Sequence, residues 1–256
     1  MAKKRLSQHF LRDPGVLNRI AEAAGLSPGT EAVEIGAGSG GLTRVLAERV
    51  RPGGRIVAVE IDDSFLESLR DMENVEVVHA DILKTPLPTL LKAPGPVIGN
   101  LPYHITTPVI EWLVQHRSMC TSATLMAQRE FARRAALAPG EKGCGSISVF
   151  VHYYFEVKTL FDVGPGAFTP RPKVWSTVFR LKPLKEPRVQ PLDEEVFFAA
   201  ARAAFGQRRK TLRNALKSRF PNRIEALREA GIDDSRRGET LSMEELRALS
   251  DALCIR

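Results

Sequence analysis

Glu31-Ala32-Val33-Glu34-Ile35-Gly36-Ala37-Gly38-Ser39-Gly40-Gly41 is the stretch whose reading decides the fold. Its first half is a short strand, its second half a glycine-rich loop, and behind it Leu42, Val45, Leu46 and Val50 recur at helical spacing. Strand, glycine loop and helix start in that order open a nucleotide-binding βαβ unit, where missing side chains let a ligand approach the backbone. Gly36, Gly38 and Gly41 satisfy the G-x-G-x-x-G pattern. Many unrelated sequences do so too, and the meaning depends on the neighbours.

Downstream, Arg55-Ile-Val-Ala-Val-Glu60-Ile61 reads as a second buried strand ending in an acid, 24 positions after Gly36. A carboxylate there can accept both hydroxyls of a ribose. Val75 to Asp81 is a third strand ending in an acid, and Asp81 either caps the next turn or accepts from an adenine amino group. Pro96-Val97-Ile98-Gly99 is a fourth. Strand and helix alternate from Glu31 to Gln128, which implies a parallel sheet with ligands at the carboxyl ends of its strands. Glu34, Gly36, Glu60, Asp81 and Asn100 all fall at such ends.

The fourth strand runs into Asn100-Leu101-Pro102-Tyr103. Taken alone, these residues read as an ordinary strand-to-helix turn. Beside a cofactor cradle they read as a clamp for a flat base: Asn100 offers a carbonyl, Pro102 stiffens the loop and Tyr103 adds a face for stacking.

The rest of the chain is less decisive. Val16, Leu17, Ile20, Ala21 and Ala24 predict a helix ending at Gly25. Ala123–Ala127 predicts a fifth strand and Arg129–Leu137 a basic helix; residues 146–155 are β-rich in composition without alternation, so strand and buried helix both stay open. Val157–Val163 and Trp175–Leu181 read as strands joined by a proline-stiffened loop suited to placing Phe168 against a ligand, or to serving as a rigid connection. Alternating proline and charge over 182–191 suggests a linker, and an all-helical segment follows. Within it, residues 202–223 carry eight basic residues and no acid. Arg209, Arg213 and Lys217, at i, i+4 spacing, are expected to share a helix face that tracks phosphates.

Composition agrees with a polyanionic partner: 37 Lys and Arg against 30 Asp and Glu give a formal charge of +7 over 256 residues. Three widely spaced cysteines without metal-ligand patterning suggest free thiols in a reducing compartment. The basic N-terminus lacks an apolar signal core, and no apolar run reaches membrane-spanning length. A cytoplasmic monomer is expected, with no membrane partner and no metal.

Five ordered motifs resemble the rRNA adenine N6,N6-dimethyltransferase family, most closely its small-subunit (16S) branch, the KsgA type. They are Gln8-His-Phe-Leu11, Glu34-Ile-Gly-Ala-Gly-Ser-Gly40, Asn100-Leu-Pro-Tyr103, Phe168-Thr-Pro-Arg-Pro-Lys-Val174 and Ala204-Phe-Gly-Gln-Arg-Arg209. The family more often has Asn at the place of His9, and Asn-Ile-Ser-Thr-Pro where this chain has His104-Ile-Thr-Thr-Pro108.

The resemblance implies a Rossmann-like class I methyltransferase, α/β, with a mostly parallel seven-stranded sheet and a small helical C-terminal domain. Residues 1–183 would form the catalytic domain, 1–30 closing its site, and 184–256 the RNA-binding domain. The implied activity is S-adenosylmethionine-dependent dimethylation of N6 of two adjacent adenines near the 3′ end of 16S rRNA, coupled to assembly of the small subunit. By position, His9, Leu11, Gly36, Gly38, Glu60, Asp81, Ile82 and Asn100 would bind the cofactor. Asn100, Leu101, Pro102, Tyr103 and Phe168 would hold the base, and Arg208, Arg209, Lys210, Arg213 and Lys217 the RNA. Residues 146–154 would be helix. The alternatives are a large-subunit rRNA enzyme of the antibiotic-resistance type, a DNA adenine methyltransferase, a non-catalytic assembly or transcription factor on this fold, and an NAD-dependent oxidoreductase using the same glycines.

Overall fold

A computed structural model describes residues 9–207 and 209–254. The chain enters through a two-residue strand, β1 (Phe10–Leu11), and helix α1 (Pro14–Ala23). Asp13 caps that helix by accepting from the Val16 N–H at 3.0 Å, Pro14 presets its first turn, and Gly25 at φ +66° lets the chain turn away. There follow β2 (Glu31–Ile35), α2 (Gly41–Arg49), β3 (Arg55–Glu60), α3 (Leu66–Arg70) and β4 (Val75–His79). The chain then crosses back for β5 (Gly95–Asn100), α4 (Thr106–Gln115) and β6 (Cys120–Gln128). Helices α5 (Arg129–Ala136) and α6 (Ser146–Tyr154) precede β7 (Phe155–Val163), β8 (Phe168–Thr169) and β9 (Ser176–Pro183).

Seven strands form one sheet in the order β4-β3-β2-β5-β6-β9-β7. From β4 through β6 the neighbours are parallel, whereas β9 runs antiparallel to β6. Val33, Ile35, Val57, Val59, Val97 and Ile98 are all buried, as expected of central strands covered on both faces. The chain winds outward from β2 to β4 and returns on the other side of β2, so a switch point opens between β2 and β5. Ile35 pairs with both Val59 and Gly99, which brings the ends of β2, β3 and β5 to one rim. Gly99 is needed there: a Cβ would come within 3.0 Å of Leu101 Cδ2 and 3.2 Å of the Ile35 carbonyl.

Two compact units are distinguishable: one runs to Ala132 and resumes over Lys158–Pro183, the other comprises Arg133–Val157 and the chain from Leu184 onward. Residues 133–157, which the sequence expectation keeps with the first 183, thus group with the later segment. The second unit adds α7 (Glu194–Gly206), α8 (Leu212–Lys217), α9 (Ala226–Glu229) and α10 (Met243–Cys254). Its core gathers Tyr153, Phe197, Leu212, Leu227 and Leu246, and the Tyr153 and Tyr154 hydroxyls both donate to the Glu194 carboxylate.

Two local expectations resolve here. Residues 146–154 are helix, with Ser148, Val149, Val151, Tyr153 and Tyr154 buried. Nearly all-round burial removes the polar stripe by which a helix is recognised. The shared helix face of Arg209, Arg213 and Lys217 is corrected: α7 ends at Gly206 and α8 begins only at Leu212, so Arg209 and Lys210 precede the helix. Acids beyond the stretch 202–223 answer part of the charge, Asp234 pairing with Arg213 at 2.9 Å and Glu229 with Arg223 at 3.3 Å.

Candidate active site

At the carboxyl rim of the first unit lies a cavity of about 320 Å³, within the usual range of about 300–1,000 Å³ for small-molecule sites. Every cofactor and base residue named from the sequence borders it. The RNA-binding candidates Arg209, Lys210, Arg213 and Lys217 are exposed and lie in the second unit, outside the cavity. Arg208 and Gln8 lie outside the described residues.

The floor is the glycine loop. Gly36 and Gly38 adopt φ +69° and +52°, which side chains disfavour, and a Cβ on Gly36 would meet nothing within 4 Å. A ligand can therefore approach the backbone at Gly36, whose own N–H is held by the Val59 carbonyl at 2.8 Å. Over Gly38 stands the Phe10 ring, 3.3 Å from where a Cβ would be, and Phe10 packs edge-on against Phe65 with centroids 5.4 Å apart.

Glu60 is buried and locked. Oε2 accepts from Gly38 N–H at 2.7 Å, and Oε1 accepts from the N–H groups of Ile61 and Asp62, both at 2.9 Å. A carboxylate offers about four acceptor sites, so these donors leave about one for a ribose hydroxyl. Accepting both hydroxyls, as the sequence suggests, requires one of the backbone bonds to yield. Asp81 realises the capping alternative, Oδ1 accepting from Leu83 N–H at 3.0 Å, and it also faces the cavity together with the buried side chain of Ile82.

Glu34 is 1% exposed, borders the cavity, and its Oε2 has no hydrogen-bond partner. Burial pushes its carboxyl up to about 8, the Thr43 hydroxyl opposing and the Glu60 charge adding to the rise. A buried carboxyl oxygen without a partner, on a residue that borders a cavity, favours a cationic or donor group on the ligand. The methionine ammonium of S-adenosylmethionine is such a group, and the residues present fit that cofactor. Glu34 and Phe10 received no role from the sequence. Only the position of Glu34 at a strand end and of Phe10 inside the first motif pointed toward them.

The base side of the cavity is formed by Asn100 through Tyr103. Leu101 N–H donates to the Met126 carbonyl at 3.0 Å and Ile105 N–H to the Pro102 carbonyl at 3.1 Å, so both ends of the tetrapeptide are tied. The Tyr103 hydroxyl lies 3.5 Å from Ser176 Oγ, and His9 stands 6.2 Å from the Tyr103 ring. His9 Nδ1 bonds the Pro170 carbonyl at 2.8 Å, and β1 pairs antiparallel with β8, Leu11 opposite Phe168. Phe168 reaches the cavity but is only 4% exposed, packed among Leu11, Leu17 and Val178. It is a wall more than a free platform.

Doubly wound strand order, a glycine cradle beside a locked acid and a polar tetrapeptide at the switch point define a class I S-adenosylmethionine-dependent methyltransferase. Residues 1–253 match the family described as ribosomal RNA adenine dimethylase. The chain belongs to that family. It is 42% identical over 268 residues to ribosomal RNA small subunit methyltransferase A of Geobacillus thermodenitrificans, covering 98% of this chain and 90% of the relative. A namesake from Listeria welshimeri is 40% identical over 98% of this chain and 90% of the relative. Among solved structures, the 23S rRNA methyltransferase ErmE superposes with a TM-score of 0.70 at 31% identity, covering 96% and 99% of the two chains. A dimethyladenosine transferase from Plasmodium falciparum shares the fold with a TM-score of 0.78 at 24% identity, covering 94% and 96%. Among the described residues, no helix is long and apolar enough to cross a membrane.

Proposed function

We propose that this protein dimethylates N6 of two adjacent adenines near the 3′ end of 16S rRNA on assembling small subunits, as a cytoplasmic monomer. The relatives named as small-subunit methyltransferases support the choice of subunit. The observation that carries the reading is that Asn100, Tyr103 and Phe168 border the same cavity as the glycine cradle and Glu60. Catalysis is assigned to residues 1–183, with the N-terminal segment closing the site, and RNA binding to 184–256 through Arg208, Arg209, Lys210, Arg213 and Lys217.

S-adenosylmethionine, when bound, supplies a methyl group already activated on a sulfonium. Gly36 and Glu34 are assigned to its methionine part, Glu60 to the ribose, Asp81 and Ile82 to the adenine, with His9, Leu11 and Gly38 completing the enclosure. Adenine N6 is a weak nucleophile because its lone pair is delocalised into the ring. The Asn100 side-chain oxygen and the Leu101 carbonyl accept from the amino group, favouring a pyramidal nitrogen and the positive charge it gains. Pro102 stiffens this acceptor pair, while Tyr103 and the exposed edge of Phe168 hold the extruded base. Alignment of this kind is worth up to ~7–11 kcal/mol. No side-chain base is needed, since the methylated nitrogen releases its proton to water.

The test is transfer of labelled methyl groups to purified unmethylated 30S and 50S subunits, followed by mapping of the label. Label at adjacent adenines near the 16S 3′ end is expected. Label on 23S rRNA, or none on either, overturns the proposal.

A further inference from the structure

The geometry points to a second aromatic contact for the nucleic acid. We propose that Trp175, set beside Arg129 on the carboxyl rim of the sheet, stacks on an unpaired nucleobase adjoining the target adenine. The inference rests on the rRNA reading above and names a contact that reading does not use.

Trp175 is 46% exposed, and Val174 beside it is exposed as well. Large aromatic side chains bury on the order of 150–250 Å² when packed, so a half-exposed indole leaves much apolar surface in water. Its place is fixed from several sides. The Trp175 carbonyl accepts from Arg129 N–H at 2.9 Å, and the next residue, Ser176, pairs with Gln128 at the end of β6. Because β6 runs parallel to β5, that end is the rim that carries Asn100. Ser176 Oγ in turn lies 3.5 Å from the Tyr103 hydroxyl, which puts Trp175 one residue from the base clamp.

The ring itself is braced. A Cβ on Gly164 would lie 3.5 Å from Trp175 Cη2, so the glycine lets backbone pack against the indole, and the Arg129 guanidinium carbon lies 5.4 Å from the ring centroid. The loop 164–175 contains Arg171 and Lys173, both exposed, and no acid. An aromatic face among cations suits a base with its phosphates, where stacking tolerates any base and the cations take the backbone. An apolar protein surface would leave those cations unanswered. Phe168, at 4% exposure, has no face to offer a second base.

The experiment compares wild type, Trp175→Ala and Trp175→Phe with unmethylated 30S particles and with a single-stranded RNA oligonucleotide of the same 3′ sequence. Replacing the indole by a methyl is expected to raise the oligonucleotide Kd and the particle KM about tenfold. Affinity for S-adenosylmethionine and kcat at saturating particle should stay at wild-type values, and Phe should restore most of the loss. Fluorescence gives an independent reading, since the other tryptophan, Trp112, is 3% exposed with Nε1 bonded to the Thr85 carbonyl at 2.9 Å. RNA should quench wild-type emission and leave that of Trp175→Phe nearly unchanged. Wild type that methylates the particle while Trp175→Ala matches it in Kd and KM overturns the stacking contact alone. So does loss of cofactor affinity in that variant, which would mark a structural role. Wild type that methylates no RNA overturns the proposed function and this inference together.

Discussion

Between pH 4.5 and about 8, burial favours a proton on Glu34 in the folded protein that the unfolded chain releases. Its carboxyl is pushed up from an ordinary 4.5 to about 8, chiefly through burial. A raised value means that its contribution favours the fold fully below pH 4.5 and is lost as pH climbs through about 8. Glu34→Gln keeps the shape and removes the titration. In cofactor-free protein the melting temperature of wild type should therefore fall relative to the variant across that window, and parallel curves would refute the assignment. Glu34→Ala, which removes the acceptor, should bind S-adenosylmethionine about tenfold more weakly, the range of a missing charge-assisted hydrogen bond. Asn100 is expected to behave differently. Asn100→Ala should lower kcat by about 10²–10³-fold, as removal of one transition-state acceptor does, while cofactor binding partly survives. Near-normal turnover in a single-turnover assay would contradict its role. The acids at strand ends were visible in the sequence as positions, but which of them lacked a partner depends on packing that no local pattern encodes.

Among the elements, the pairing of β1 with β8 matters most for the site. It brings Phe10 over Gly38 and sets Leu11 opposite Phe168. Phe10→Ala should weaken cofactor binding about fivefold to tenfold by titration calorimetry, in keeping with roughly 1–1.4 kcal/mol for part of an aromatic side chain. The far-UV spectrum should not change, because the ring is only half-buried. Sheet strands and their connecting helices were legible because each carries one clear period or an apolar run closed by Gly, Asn or an acid. Helix α6 was not, since Val149, Val151, Tyr153 and Tyr154 are buried together and the family resemblance alone indicated helix. The segment after α7 misled for the opposite reason. Its basic spacing fits a helix, yet α7 ends at Gly206 and α8 starts after Thr211.

For the molecule as a whole, the surplus of +7 sets an expected dependence on salt. Log affinity for RNA should fall linearly with log salt, and Arg209→Gln with Lys210→Gln should make the slope shallower by about 0.7–0.9 for each phosphate no longer neutralised. Filter binding across a salt series measures this, and an unchanged slope removes those side chains from the interface. Net charge was readable from composition alone. Its partition was not: Arg213 and Arg223 are answered by Asp234 and Glu229, whereas among the described residues Arg209 and Lys210 have no such ion pair.

The antiparallel match of Phe10–Leu11 with Phe168–Thr169 also carries a consequence for synthesis. A polypeptide leaving the ribosome presents Phe10–Leu11 long before the partner exists, since more than 150 residues separate them. Until Thr169 clears the exit tunnel, β1 has no ladder to join, and one wall of the methyl-donor chamber is missing. A nascent chain halted short of this point should fail to retain the donor, even with every glycine of the cradle already made.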